Sequence, residues 1–283
     1  MELASIVVAL VALSACSAVP IETEWDLWKE RHGKAYLNGK EEFERKVTWA
    51  RNTKFVEDFN QGQHSYMLAM NHFSDTVIDQ GYCQSSWAFS AAGAIDGQYF
   101  VMTGDLMEIS IQQLLDCSSS WGNRGCHGGI PTWAYRYIEG ASGVCTVSKY
   151  PYLGYTWYCA EKFCPKAFTC TGFAIVETGS EQDLMAAVTD VGPISVVVDA
   201  APLTFQFYSG GIYDDSNCRT NSLNHAMLLV GYGTDADTGF KYWILKNSWG
   251  SDWGMDGYMY LSRDNNNLCG IATAASYPLL EQI

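Results

Sequence analysis

The stretch "DQGYCQSSWAFSAAGAIDGQ", residues 79–98, sets Ser85 and Ser86 between Cys83 and Trp87. From Ala88 onward, Ala92, Ile95, Tyr99 and Met102 recur at steps of four and three, which predicts a helix from near Ser86 to just before Gly104. Two hydroxyls thus fall at a helix N-terminus, where unpaired backbone N–H groups favour developing negative charge. Either the nucleophile of such a site is missing, or it is Ser86.

Two further islands belong with this one: Asn224-His225-Ala226 and Lys246-Asn247-Ser248-Trp249-Gly250. Short runs rich in Val, Tyr, Leu and Trp at 194–199, 225–231, 241–246 and 257–262, bounded by Gly, Pro and Asn, predict antiparallel strands, arranged as a barrel. His225 then opens one strand and Asn247 closes the next, so that a nucleophile, a base and an orienting group can meet in a cleft between a helical half and a sheet half. A second helical pattern covers 109–117. Upstream, Trp25 and Trp28 share a helical face after a start near Thr23, and Asn38-Gly39 interrupts the pattern. A second helix follows with Phe43, Val47 and Ala50 as one apolar stripe and Phe55 and Phe59 as another.

The 283 residues are 48% hydrophobic, enough for a large core, and 17 Lys and Arg against 31 Asp and Glu leave a charge of -14. That balance excludes nucleic acid and anionic membrane surfaces as partners. An apolar run over 6–13 followed by small residues to Ala18 has the order of a secretory signal, although no Lys or Arg precedes it. Nine cysteines lie outside that signal, and they point to a disulfide framework in an oxidising compartment. Their spacing shows no CxxC pair, so no metal is expected.

Taken together, these islands resemble the papain-like cysteine proteases, specifically precursors of the cathepsin L type. The prosegment pattern ExxxRxxxFxxNxxxIxxxN is met by Glu41, Arg45, Trp49, Asn52, Val56 and Asn60, and its companion GxNxFxD by Ala69, Asn71, Phe73 and Asp75. "GCHGG" at 125–129, "SLNHAMLLVGYG" and "KNSWGSDWG" complete the set. The resemblance implies an α+β, papain-like two-domain fold: a signal at 1–18, a helical inhibitory prosegment at 19–76, a helical half at 77–172 and an antiparallel β-barrel half at 173–283. It implies roles for Gln80 as oxyanion donor, His225 as base, Asn247 as its orienting partner and Trp249 as a cover over their hydrogen bond. Gly128 and Gly129 would line the substrate wall, joined by Gln84. The implied disulfides are Cys83–Cys126, Cys117–Cys159 and Cys218–Cys269, with two of Cys145, Cys164 and Cys170 available for a fourth.

Three departures qualify the resemblance. Ser86 stands where the family has its nucleophilic cysteine, Gln84 where it has glycine, and Asp75 is only eleven residues from Ser86 where the family interposes several dozen. Eleven residues span at most about 40 Å, so the usual path of the prosegment through the cleft and back is not available. A serine hydroxyl does not ionise near neutrality as a thiol beside an imidazole does; Ser86 can act only if neutral His225 takes its proton during attack. Serine in this position is the mark of the silicateins, which the hydroxyl tract Ser118–Ser120 also matches and Trp87 does not. The expected function is accordingly a silicatein-like hydrolase or condensing enzyme using Ser86, His225, Asn247 and Gln80. The alternatives are a weak cathepsin L-like peptidase and an inactive pseudoprotease that binds peptide. No cofactor is expected, the partners being a peptide or silicic-acid-type substrate and the chain's own prosegment, in a secreted or lysosomal setting.

Overall fold

The computed structural model describes residues 21–76 and 83–280; the signal-like run and Gln80 lie outside the described residues. The chain opens with α1 (Ile21–Arg31) and α2 (Gly39–Asn60). α1 begins before Thr23, with Glu22 and Glu24 in its first turn, where acidic side chains favour a helix N-terminus. Asn38 caps α2, its side chain accepting from the N–H groups of Lys40 and Glu41. Trp25, Trp28 and Trp49 form a small core of their own, with Tyr36 stacked on Trp25. The expected stripe on α2 is corrected here: Phe43 and Val47 are more than half exposed, and the buried face is Trp49, Asn52 and Val56. The tryptophans of α1 and the sheet beyond Val56 supply the apolar partners, and neither lies on the Phe43 side.

The prosegment also contributes a strand, β1 (Tyr66–Leu68), which the helical pattern did not announce. It pairs antiparallel with β4 (Tyr208–Tyr213), Tyr66 opposite Gly211 and Leu68 opposite Tyr208. Asn71 Nδ2 donates to the Gln206 carbonyl at 2.9 Å and the Ala69 N–H to that of Phe207 at 2.9 Å, extending the seam. Asp75, 2% exposed, is held within the prosegment by Lys34 Nζ and the Tyr36 hydroxyl, each at 2.9 Å.

In the helical half, α3 (Ser86–Thr103) is the central rod, flanked by α4 (Ile111–Cys117) and α5 (Pro131–Gly140). Ala88, Ala91, Ala92, Ala94 and Ile95 are all buried, because α3 is covered on several sides, as an almost wholly apolar helix must be. Its small residues permit close approach: a Cβ on Gly97 would lie 2.5 Å from the ring of Pro193.

The sheet half adds β2 (Gly172–Ile175), α6 (Glu181–Asp190), β3 (Ile194–Val198), the short α7 (Leu203–Gln206), β5 (His225–Thr234), β6 (Lys241–Lys246), β7 (Tyr258–Ser262) and β8 (Ser276–Leu279). The strand order is β1-β4-β7-β6-β5-β3-β8-β2. All pairings are antiparallel except β4 with β7, which run parallel over two residues. The β5–β6 hairpin intervenes in the chain between β4 and β7 and returns it in the same direction, so the sheet is mixed at that edge rather than wholly antiparallel.

Two cores result. One is built on Phe205, Trp243, Trp253 and the sheet, the other on α3 to α5 with Ala226 and Leu228 of β5. Disulfides join Cys83–Cys126, Cys117–Cys159, Cys145–Cys164 and Cys218–Cys269, and leave Cys170 buried with a free thiol that burial pushes up to about 11. Among the described residues no helix is long and apolar enough to cross a membrane.

Candidate active site

Ser86 is the first residue of α3, so its backbone N–H has no partner within the helix. Its Oγ accepts from the Ala226 N–H at 3.3 Å, which places it beside the first residues of β5. His225 starts that strand and is 2% exposed. Asn247 follows the last residue of β6, and the β5–β6 pairing of Leu228 with Lys246 brings it to the imidazole.

The hydrogen bonds fix the tautomer. The Ser248 N–H donates to Asn247 Oδ1 at 2.8 Å, and the same oxygen lies 2.7 Å from His225 Nε2. A carboxamide oxygen only accepts, so Nε2 carries the proton and Nδ1 carries the lone pair. Nδ1 is buried with no hydrogen-bond partner. Burial lowers the imidazole pKa to about 4, against a smaller raising effect of the Asn247 hydrogen bond. The result is a neutral histidine at neutral pH with a free basic nitrogen. The Trp249 ring covers it, 4.7 Å between centroids.

Two cavities flank this group. One, of about 280 Å³, is lined by Gly128, Gly129, Leu223 and Ala274, the other, of about 140 Å³, by Ser85, Tyr152, Ser248 and Trp249. Gln84, Ser86 and His225 line both, so together they form the saddle of the cleft. Gln84 is exposed on this saddle, its N–H donating to the Cys126 carbonyl at 3.0 Å beside the Cys83–Cys126 disulfide. Gly129 has no room for a side chain: a Cβ there would meet Asn123 Oδ1 at 2.4 Å and the Trp87 ring at 2.7 Å. The structure therefore brings together Ser86, His225, Asn247, Trp249, Gln84, Gly128 and Gly129, while Gln80 lies outside the described residues.

Several contributors left no mark in the motifs. Tyr152 is hydrogen-bonded to Ser85 Oγ at 2.9 Å and packs edge-on against Phe89, bracing the start of α3 from a loop far along the chain. Phe73 of the prosegment stands edge-on to Trp249 at 5.2 Å. The hydroxyl tract separates into parts: Ser118 is buried, donates to the Leu114 carbonyl and accepts from Asn123, and only Ser119 and Ser120 face solvent. No cluster with the donor set of a metal site lies in the cleft among the described residues; the one grouping of ligand-type atoms, Cys117, Cys159 and Glu161, includes both sulfurs of a disulfide.

Residues 69–279 match the family model for papain family cysteine proteases, and residues 25–77 that for the cathepsin propeptide inhibitor domain. The two ranges share residues 69–77, leaving no interval between them. Cathepsin L2 of Homo sapiens is 37% identical over 330 positions, covering 97% of this chain and 98% of its own length. Digestive cysteine proteinase 2 of Homarus americanus is also 37% identical, covering 99% and 100%. Since 97% of 283 residues is about 275, about 55 of the 330 positions aligned with cathepsin L2 face no residue here. The structure of digestive procathepsin L 3 from Tenebrio molitor larval midgut superposes with a TM-score of 0.85 at 37% identity, covering 93% of this chain and 100% of that one. The recombinant stem bromelain precursor gives 0.85 at 31%.

Proposed function

The chain belongs to the papain family of cysteine proteases, close to cathepsin L and with a cathepsin-type propeptide domain, and on that premise we propose that it is a serine-dependent peptidase working through Ser86, His225 and Asn247. One observation carries the reading: the unpartnered Nδ1 of a buried His225 that lines the same two cavities as Ser86, whose Oγ takes the Ala226 N–H. As Ser86 Oγ attacks a peptide carbonyl carbon, its proton passes to Nδ1, and the carbonyl π electrons move to the oxygen. The Ser86 N–H, at the positive end of α3, is one donor for that oxygen, with Gln80 proposed as the second. The imidazolium then protonates the leaving amine, and water releases the acyl group from Ser86 by the reverse sequence.

Each element also limits the rate. A pKa near 4 makes His225 a weak base, and each pKa unit corresponds to about 1.4 kcal/mol. Asn247 orients the imidazolium without neutralising it. Slow peptide hydrolysis is the expected output. Among the described residues none of the prosegment lines the cavity beside Gly128 and Gly129, which leaves that side open to substrate while Phe73 rests on Trp249. We therefore place prosegment release outside the requirements for binding on that side. Four disulfides suit a secreted or vesicular setting.

A second reading rests on the same hydroxyl. Oxygen is a harder nucleophile than sulfur, and silicon alkoxides or silicic acid are hard electrophiles, as in silicatein-like condensation. The test assays the secreted protein on a fluorogenic peptide and on a silicon alkoxide, beside Ser86→Ala and Ser86→Cys. Peptide turnover lost in Ser86→Ala supports the first reading, and alkoxide turnover alone lost in that variant supports the second. Inertness of wild type toward both, with peptide cleavage restored in Ser86→Cys, overturns both and leaves a peptide-binding pseudoprotease.

A further inference from the structure

A further cavity adjoins the proposed catalytic group on the side of Asn247 and Ser248. It is a groove of about 510 Å³ between α3 and the β5–β6 strands, walled by Ala92, Gly93, Ile109, Val147, Ala226 and Leu228. The Ser90 hydroxyl, donating to the Met227 carbonyl at 2.7 Å, closes its floor.

Its charges are also unbalanced. Asp96 on α3 is half-buried in the wall, Glu108 stands at one rim and Lys246 at the other. Asp96 accepts the Ile109 N–H at 3.0 Å, and none of the ion pairs among the described residues involves Asp96, Glu108 or Lys246. Burial pushes the Asp96 carboxyl up to about 7, with a smaller addition from Glu108 and against the lowering effects of the Ile109 N–H and Lys246. Lys246 is the one cation in the lining against two acidic side chains, and a second cation close to Asp96 would draw that half-buried carboxyl into its charged form.

Length supplies the remaining observation. About 55 positions of the cathepsin L2 alignment have no residue here, and the prosegment and enzyme matches overlap at 69–77. The shortened connection leads into α3, whose first turns, at Phe89 and Ser90, form part of the groove lining.

We propose that this groove is a docking site for an extended, apolar peptide segment of another chain that carries one lysine or arginine. The cation sits between Asp96 and Glu108, and the apolar residues cover Gly93, Ile109 and Leu228. The groove shares Asn247 and Ser248 with the proposed catalytic group, and its occupation does not require turnover.

The test uses the full chain with Ser86→Ala, so that no probe is cut. Fluorescein-labelled acetyl-Val-Ala-Val-Lys-Val-amide is titrated by anisotropy beside the same peptide with glutamate or norleucine for lysine. The lysine peptide is expected to bind about tenfold or more tightly than the other two, a difference of about 1.4 kcal/mol. Asp96→Asn, which keeps an acceptor for the Ile109 N–H, is expected to bring the lysine peptide down to the norleucine level. Val147→Trp, which fills the groove from its rim, is expected to weaken all three. Equal binding of the lysine and glutamate peptides overturns the proposal. So does lysine-peptide binding that survives both substitutions, or no binding by any of the three.

Discussion

The oxygen of the Asn247 side chain accepts from His225 Nε2 at 2.7 Å while also holding the Ser248 N–H, and this shared acceptor leaves Nδ1 as the only basic nitrogen of the imidazole. The chemistry proposed for the cleft depends on that arrangement. A histidine presenting N–H toward Ser86 could not take its proton.

Replacement of the proposed nucleophile is the first check. Ser86→Ala should reduce peptide turnover to the residual level left by binding and oxyanion stabilisation, about 10³–10⁴ over the uncatalysed reaction in comparable triads. Ser86→Cys should raise it above wild type, because a thiol in this position forms an ion pair that a hydroxyl cannot. Steady-state rates on one fluorogenic peptide measure both, and unchanged turnover in Ser86→Ala excludes Ser86 from the reaction.

Asn247→Ala releases the imidazole to rotate and to exchange tautomers. We expect kcat to fall within the roughly 10²–10⁴-fold range of lost general-base catalysis, with KM little changed, because Asn247 orients the base rather than holding substrate. A rise in KM alone would make Asn247 a binding residue instead.

The pH dependence follows from burial. The base must be neutral, and burial sets the folded pKa of His225 at about 4, below the ordinary value of 6.5. Activity should therefore hold as pH falls through 6.5 and decline only near 4, visible as the acid limb of kcat/KM. The linked stability has the same direction: the unfolded chain binds this proton first, so folding weakens as pH falls from about 6.5 toward 4. An acid limb near 6.5 would mean a solvated imidazole.

Asp75→Ala removes the shared acceptor of Lys34 and Tyr36 inside the prosegment. Leaving the Tyr36 hydroxyl and the partly exposed Lys34 ammonium without their acceptor costs about 1–3 kcal/mol. Limited proteolysis should then digest residues 21–76 faster while the four disulfides keep the remainder compact. Equal digestion of wild type and variant would show that β1 and Asn71 suffice for docking.

Gly129→Ala tests the substrate wall. The added methyl meets the Trp87 ring and Asn123 Oδ1, and overpacking of this kind costs about 1–3 kcal/mol. A lower Tm with altered KM is the expected pair of results, and an unchanged Tm would place the Trp87 ring elsewhere.

Much of this was legible in the residues. The alanine spacing after Ser86 located α3 from Ser86 to Thr103, and the His and Asn islands fell on a strand start and just beyond a strand end. The pattern failed on α2, where Phe43 and Val47 look like a core stripe and face solvent. Helical periodicity reports which side chains share a face, and it says nothing of which face finds a partner; the tryptophans of α1 decided that. Strand β1 was equally hidden, because three residues carry too little pattern and its partner lies 140 residues further on.

By itself the sequence determined which groups the proposed site has to work with: a hydroxyl at 86, a histidine at 225, a carboxamide at 247, in the order of a papain-like chain. Residue identity decides these, and no folding changes them. Tertiary structure alone decided that His225 is buried and neutral, that its lone pair is on Nδ1, that Phe73 rests on Trp249, and that a groove lined by Asp96 adjoins the site. Protonation, tautomer and vacancy depend on what surrounds a group, and the surroundings come from segments far apart in the chain.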